Sequence, residues 1–227
     1  MHQTAAATAL WLAIIGMQAI LAIKGRGLDF LKHFLAAQSV MGCILFTINC
    51  LAGHRAYLYS WCSATVVHHG LCAFLTYRLY LVVRERGLPS RQSPVPIYIM
   101  AAGALLIGLR YAGVAAALIT NATVRLVLPL DHAFSFAVVC LLSVLPLYSA
   151  VISSTIPKQI YLVIAGFALY EATYAGKVGF WITSHVFVAH HAADFAYLIS
   201  LSLWYLALNS PIECRKAALA MTTTTAE

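Results

Sequence analysis

Residues 5–27 read AAATALWLAIIGMQAILAIKGRG. No charge occurs from Ala5 to Ile23, and the run then stops at Lys24-Gly25-Arg26-Gly27. About 20 apolar residues are what an α-helix needs to cross the hydrocarbon core of a bilayer. A secretory signal carries its basic residues before the apolar run. Here the first lysine follows it, so the segment is read as a retained membrane helix.

The whole chain repeats this pattern. Of 227 residues, 62% are hydrophobic and 9% charged, and the mean hydropathy is +0.86. Soluble domains carry about 25% charged residues. A water-soluble globular enzyme is excluded, and so is a disordered chain, which needs low hydrophobicity. The expected fold is all-α, a polytopic bundle of seven transmembrane helices. The spans are read as 5–23, 34–51, 57–83, 97–119, 132–153, 159–182 and 187–208, within a membrane domain of residues 1–211. A polar tail follows over 212–227. Leu28 to His33 is an amphipathic approach to the second span. The segment 84–96, with its charges and prolines, is the clearest loop. Residues 120–130, with Arg125 and Pro129, are a mixed segment, either a loop or a short interfacial piece. Pro146 marks a kink in the fifth span.

The net charge of +7 has no nucleic-acid character, because the basic residues punctuate apolar runs. With the N-terminus outside, the inner side holds Lys24, Arg26, Lys32, Arg84, Arg86, Arg91, Lys158, Arg215 and Lys216. The outer side then holds Arg55 and Arg125. The positive-inside rule therefore predicts an outer N-terminus and a cytoplasmic C-terminus. A cysteine placed at Ser90 should react with an impermeant maleimide from the cytoplasmic side only. Labelling from outside overturns the topology. Trp11, Tyr57, Tyr59, Trp61, Tyr98, Tyr161, Trp181, Trp204 and Tyr205 lie near span ends, where amphipathic rings anchor to the interface. The six cysteines form no CxxC, and those in apolar runs are read as small hydrophobes. Cys50 and Cys62 flank an outer turn and are a disulfide candidate.

Charges inside the membrane need a partner or a purpose. Those at the midplane or in the outer half of their spans are Arg110, Glu171, Lys177 and Asp194, together with His68 and His69 in the third span and His190 and His191 in the seventh. At 1.5 Å per residue, His68, Arg110 and Glu171 fall roughly 14–17 Å below the outer end of their spans. Lys177, Asp194 and His191 fall roughly 6–10 Å below it. Two explanations stand. Arg110–Glu171 and Lys177–Asp194 are interhelical packing pairs, or these side chains with His68 line a ligand-binding polar pocket toward the outer face. Small-residue seams run through Ala104, Gly108 and Ala112 and through Ala168, Ala172 and Gly176, and would let helices approach closely.

No catalytic site is assigned. A zinc or iron site would draw on His69, His190, His191 and Asp194, but no His-x-x-x-His is present. Haem would need histidines facing each other at one depth. Seven-span retinal proteins of microbes carry a lysine in the last span, which is absent here. No cofactor is therefore predicted. The leading expectation is a small-molecule receptor or sensor module working with a cytoplasmic or membrane protein partner and with membrane lipids. The alternatives are a membrane-embedded metal enzyme and a structural or assembly subunit without a ligand.

The Tyr57-x-Tyr59-x-Trp61 entry to the third span and the run YLISLSLWY from Tyr197 to Tyr205 carry a resemblance. With the size and layout, the chain resembles a group of small uncharacterised bacterial seven-helix membrane proteins. The resemblance implies a bacterial inner-membrane location and no particular activity.

Overall fold

The computed structural model describes residues 5–87, 122–151, 156–182 and 186–210, with short helical pieces at 102–103, 106–107 and 109–110. Among these residues the fold is all-α with six helices. They are α1 (Ala5–Lys24), α2 (Asp29–Leu51), α3 (Gly53–Gly87), α4 (Ala122–Val151), α5 (Lys158–Ile182) and α6 (Val186–Asn209). The expected fourth span, 97–119, otherwise lies outside the described residues, as do the tail and residues 88–96 of the expected loop 84–96, whose first four residues are the end of α3. The stretches Asp29–Leu51, Ala56–Arg84 and Leu130–Leu147 are long and apolar enough to cross a membrane.

Besides the end of α3, two boundaries differ from expectation. The amphipathic approach to the second span is the first turn of α2, entered through Gly27 and Leu28, both at positive φ. Asp29 and Lys32 pair there at 2.7 Å. The mixed segment is helix from Ala122 onward, continuous with the fifth span through Pro129. Membrane helices tolerate such prolines because neighbouring groups satisfy the freed carbonyl. Hydroxyls in the apolar spans bond back to their own helix: Thr47 Oγ1 to the Cys43 carbonyl, Thr76 Oγ1 to that of Cys72, Ser200 Oγ to that of Ala196. This removes a donor that hydrocarbon cannot satisfy.

The helices close into a ring. Each packs on its neighbour in the order α1 to α6, α3 meets α4 directly, and α1 returns to α6. Contacts fix the directions. Ser39 Oγ reaches the Ile15 carbonyl, and Trp11 stacks edge-on against Phe46, so α1 and α2 are antiparallel. Gln18 bonds Tyr197 while the Arg26 amide bonds the Leu208 carbonyl, so α1 and α6 run parallel. The Tyr170–Tyr197 and Trp204–Val163 contacts make α5 and α6 antiparallel.

Leu31, Phe34, Leu79, Leu142, Phe167, Leu201 and Trp204 fill the interior. The outward faces carry Ile20, Ile44, Val66, Phe74, Leu147 and Phe195, all exposed. An apolar belt of that extent marks a surface meant for lipid or another apolar partner.

Two expectations are corrected by the packing, those for Trp204 and for the Cys50–Cys62 pair. Trp204 is a core residue, fully buried, with Phe34 edge-on to it at 5.9 Å and Tyr197 at 6.1 Å. Tyr59, Tyr161 and Tyr205 are exposed. α5 approaches α6 closely at Gly166, while Ala172 of the expected seam is exposed. A methyl group on Gly166 would lie 2.6 Å from Trp204 Nε1 and 3.2 Å from the Ser200 carbonyl oxygen. Cys50 and Cys62 are both free thiols, one exposed and one buried.

Candidate functional site

Each helix sends polar side chains into one interior layer. Gln18 comes from α1, Gln38 from α2, His68, His69 and Cys72 from α3, Asp131 and Ser135 from α4, Glu171 and Tyr174 from α5, and Tyr197 from α6. Gln18, Gln38, His68, Asp131, Ser135 and Glu171 are all buried. A polar group in an apolar interior is costly unless hydrogen-bonded, so its partners decide what the layer can do.

The helical repeat sets the first cluster. His68 and Cys72 are four residues apart on α3, hence on one face. Their shared neighbour is Glu171, 1% exposed, on α5. His68 Nε2 lies 3.5 Å from Glu171 Oε1. The Cys72 thiol donates to the same oxygen at 3.3 Å and lies 3.3 Å from His68 Nε2. The other ring nitrogen of His68, Nδ1, meets the Gln38 side-chain amide at 2.7 Å. Tyr170 and Tyr174 wall the imidazole, with ring centroids at 5.8 and 6.3 Å. Ser135 Oγ lies beside the Glu171 carboxylate and completes no well-directed hydrogen bond among the described residues.

A second cluster adjoins it. His69 Nε2 lies 3.0 Å from Asp131 Oδ1, and the Tyr174 hydroxyl donates to Asp131 Oδ2 at 2.8 Å. The His69 ring stacks on Phe134 at 4.4 Å. The two histidine rings are 5.8 Å apart. Tyr170 packs on Tyr197 at 4.4 Å, and Tyr197 accepts from Gln18. The layer is thus continuous around the ring, from α1 through α6 to α5, and from α5 to α2, α3 and α4.

Of the expected site residues, His68 and Glu171 meet. Arg110 does not join them: it is exposed, while Glu171 turns to His68 and Cys72. Asp194 is half-buried on α6. For Lys177, His190 and His191 only the backbone is described. His69 is paired with Asp131, outside the histidine–aspartate set expected from the seventh span. Cys72, Asp131, Gln18, Gln38 and Tyr174 were not anticipated. The available signal was the spacing of His68 and Cys72, a metal-ligand pair of side chains one helical turn apart.

An apolar groove of about 720 Å³ lies between α2 and α3, walled by residues such as Met41, Ile44, Tyr59 and Val67. A smaller one of about 210 Å³ lies between α1 and α6. No member of the polar layer lines either. Among family models, curated proteins and solved structures, nothing matches the chain.

Proposed function

We propose that the chain is a seven-span membrane sensor module whose sensing element is the buried polar layer. The observation behind it is the continuity of that layer. One hydrogen-bonded and ring-packed set of side chains links all six described helices. A change in protonation, occupancy or partner at its centre must therefore be felt by every helix it joins. Interior ionisable residues in membrane proteins ordinarily mark ion or proton pathways and ligand sites. The close fit of His68, Cys72 and Glu171 favours an ion-sized stimulus over the small organic ligand first expected.

The helix directions support the seventh crossing. α1 and α3 are both antiparallel to α2, and α4 runs parallel to α6 and α1. So α3 and α4 point the same way. The chain between Gly87 and Ala122 must return from one end of the bundle to the other, which the apolar stretch 97–119 is suited to do. With the N-terminus outside, segment 84–96 faces the cytoplasm and is the natural output surface toward a partner protein.

The test is hydrogen exchange of segment 84–96 in the full-length protein in nanodiscs. Glu171→Gln and Tyr174→Phe should each change exchange there about fivefold or more, the lower range of ordinary coupling between sites. Phe195→Leu, on the exposed face of α6, should not. If both layer variants lose thermal stability while exchange in 84–96 stays at the wild-type rate, the layer only packs and the sensor role is lost.

A further inference from the structure

We infer that His68, Cys72 and Glu171 form a mononuclear binding site for a divalent zinc-type ion within the membrane. The inference gives the sensor its stimulus, and to that extent it rests on the sensor role; binding itself is argued independently.

The geometry comes first. Three donor atoms, His68 Nε2, Cys72 Sγ and Glu171 Oε1, stand at 3.5, 3.3 and 3.3 Å from one another. The centre of that triangle is about 1.9 Å from every corner. An ion slightly out of the plane reaches zinc's usual bond lengths of about 2.0–2.3 Å to nitrogen, oxygen and sulfur. Tetrahedral coordination at those lengths puts ligand atoms about 3.3–3.6 Å apart. The side chains would have to move by only a few tenths of an ångström. All three are buried, so the site is held by packing around it.

Charge comes second. A divalent ion with one thiolate, one carboxylate and one neutral imidazole has a net charge of zero. That is the composition an apolar interior tolerates, since an uncompensated charge there is expensive. Binding replaces the thiol proton of Cys72 by the metal bond, and the proton leaves to solvent. No oxidant or reductant is involved.

The surroundings come third. Coordination through His68 Nε2 requires Nδ1 to carry a proton and donate it. The Gln38 amide already sits 2.7 Å from Nδ1, and rotating it by half a turn presents its oxygen as acceptor. Such a partner on the far nitrogen is the usual support of a metal-bound histidine. Ser135 Oγ, fully buried beside Glu171, is placed to act as a fourth ligand or to hold a water in that position. Nitrogen, sulfur and oxygen donors together favour zinc over magnesium or calcium, which take oxygen alone.

Cobalt(II) is the probe, because a thiolate ligand gives it a charge-transfer absorption and four-coordination gives strong visible bands. Full-length protein in nanodiscs, first stripped with chelator, should take up one Co²⁺ per chain with both signatures, and Zn²⁺ should displace it. Cys72→Ser should abolish the charge-transfer band, whereas Cys62→Ser, also a buried α3 thiol, should keep it. Gln38→Leu should keep the band and weaken binding by about 10–100-fold. No saturable uptake by the wild type, or a charge-transfer band that survives in Cys72→Ser, overturns the site. Exchange in segment 84–96 separates the two proposals. Metal uptake without any change there leaves the site standing and removes the sensor. Altered exchange in Glu171→Gln and Tyr174→Phe without metal uptake does the reverse.

Discussion

Glu171→Ala is expected to lower stability by about 3–5 kcal/mol, measured by denaturant unfolding of chelator-treated protein in detergent. The carboxylate is 1% exposed and accepts from Cys72 while facing His68 at 3.5 Å. Truncation leaves both partners in an apolar interior with no replacement, and it opens a cavity as well. Glu171→Gln keeps the volume and an acceptor oxygen and should cost clearly less. The pair itself is a different quantity from the cost of breaking it. Even a fully ionic buried pair can often be replaced by apolar groups of similar size with a neutral or stabilising result. The double variant His68→Phe, Glu171→Met should therefore recover most of the loss. A protein that is stable with an apolar pair in this position has kept the polar one for another purpose. A cost below about 1 kcal/mol for Glu171→Ala, as found for many interhelical bonds in membranes, would mean that the carboxylate is solvated or otherwise satisfied, contrary to its burial.

The second large effect is expected at Gly166. Gly166→Ala places a methyl group 2.6 Å from Trp204 Nε1. The indole is fully buried and its nitrogen already donates to the Val163 carbonyl at 3.2 Å. It has no room to retreat, so one of those contacts must give. Overpacking of this kind costs about 1–3 kcal/mol, and Gly166→Leu should prevent the bundle from forming. Thermal unfolding in detergent measures the first, and recovery of folded protein the second. Most of the cost of Gly166→Ala should vanish in a Trp204→Ala background, because the two positions then no longer collide. An equal cost in both backgrounds would place the strain elsewhere in α5.

Much of the helix layout was legible in the chain itself, and the reason is physical. Hydrocarbon admits few backbone arrangements, so uncharged runs of sufficient length become helices. α3, α5 and α6 begin and end within a few residues of the apolar runs that predict them. Pro129 misled because a proline ends helices in water but not among packed membrane helices. The site was half legible. His68 and Glu171 stood out as polar groups at matching depth. Depth follows from rise along the axis, but contact also needs the rotation about it. In a bilayer the outward and inward faces of a helix are both apolar, so amphipathicity gives little help in choosing the rotation. Arg110 shared the depth of Glu171 and yet lies exposed. Cys72 escaped notice because a thiol in an apolar run reads as a small hydrophobe. Gln18 and Gln38 escaped because they carry no charge, although an uncharged amide buried in hydrocarbon needs a partner as much as an ion does.

The parallel seating of α1 beside α6 has a consequence for how the protein is made. Gln18 finds its partner, Tyr197, 179 positions later in the chain. If α1 enters a bilayer as it leaves the ribosome, its glutamine does so without the hydroxyl that accepts its hydrogen bond in the finished fold. It stays so until Tyr197 has been translated. α6 is thus the stave that closes the ring on α1. A chain without α6 carries an unsatisfied amide on α1, a defect that distinguishes it from the closed ring.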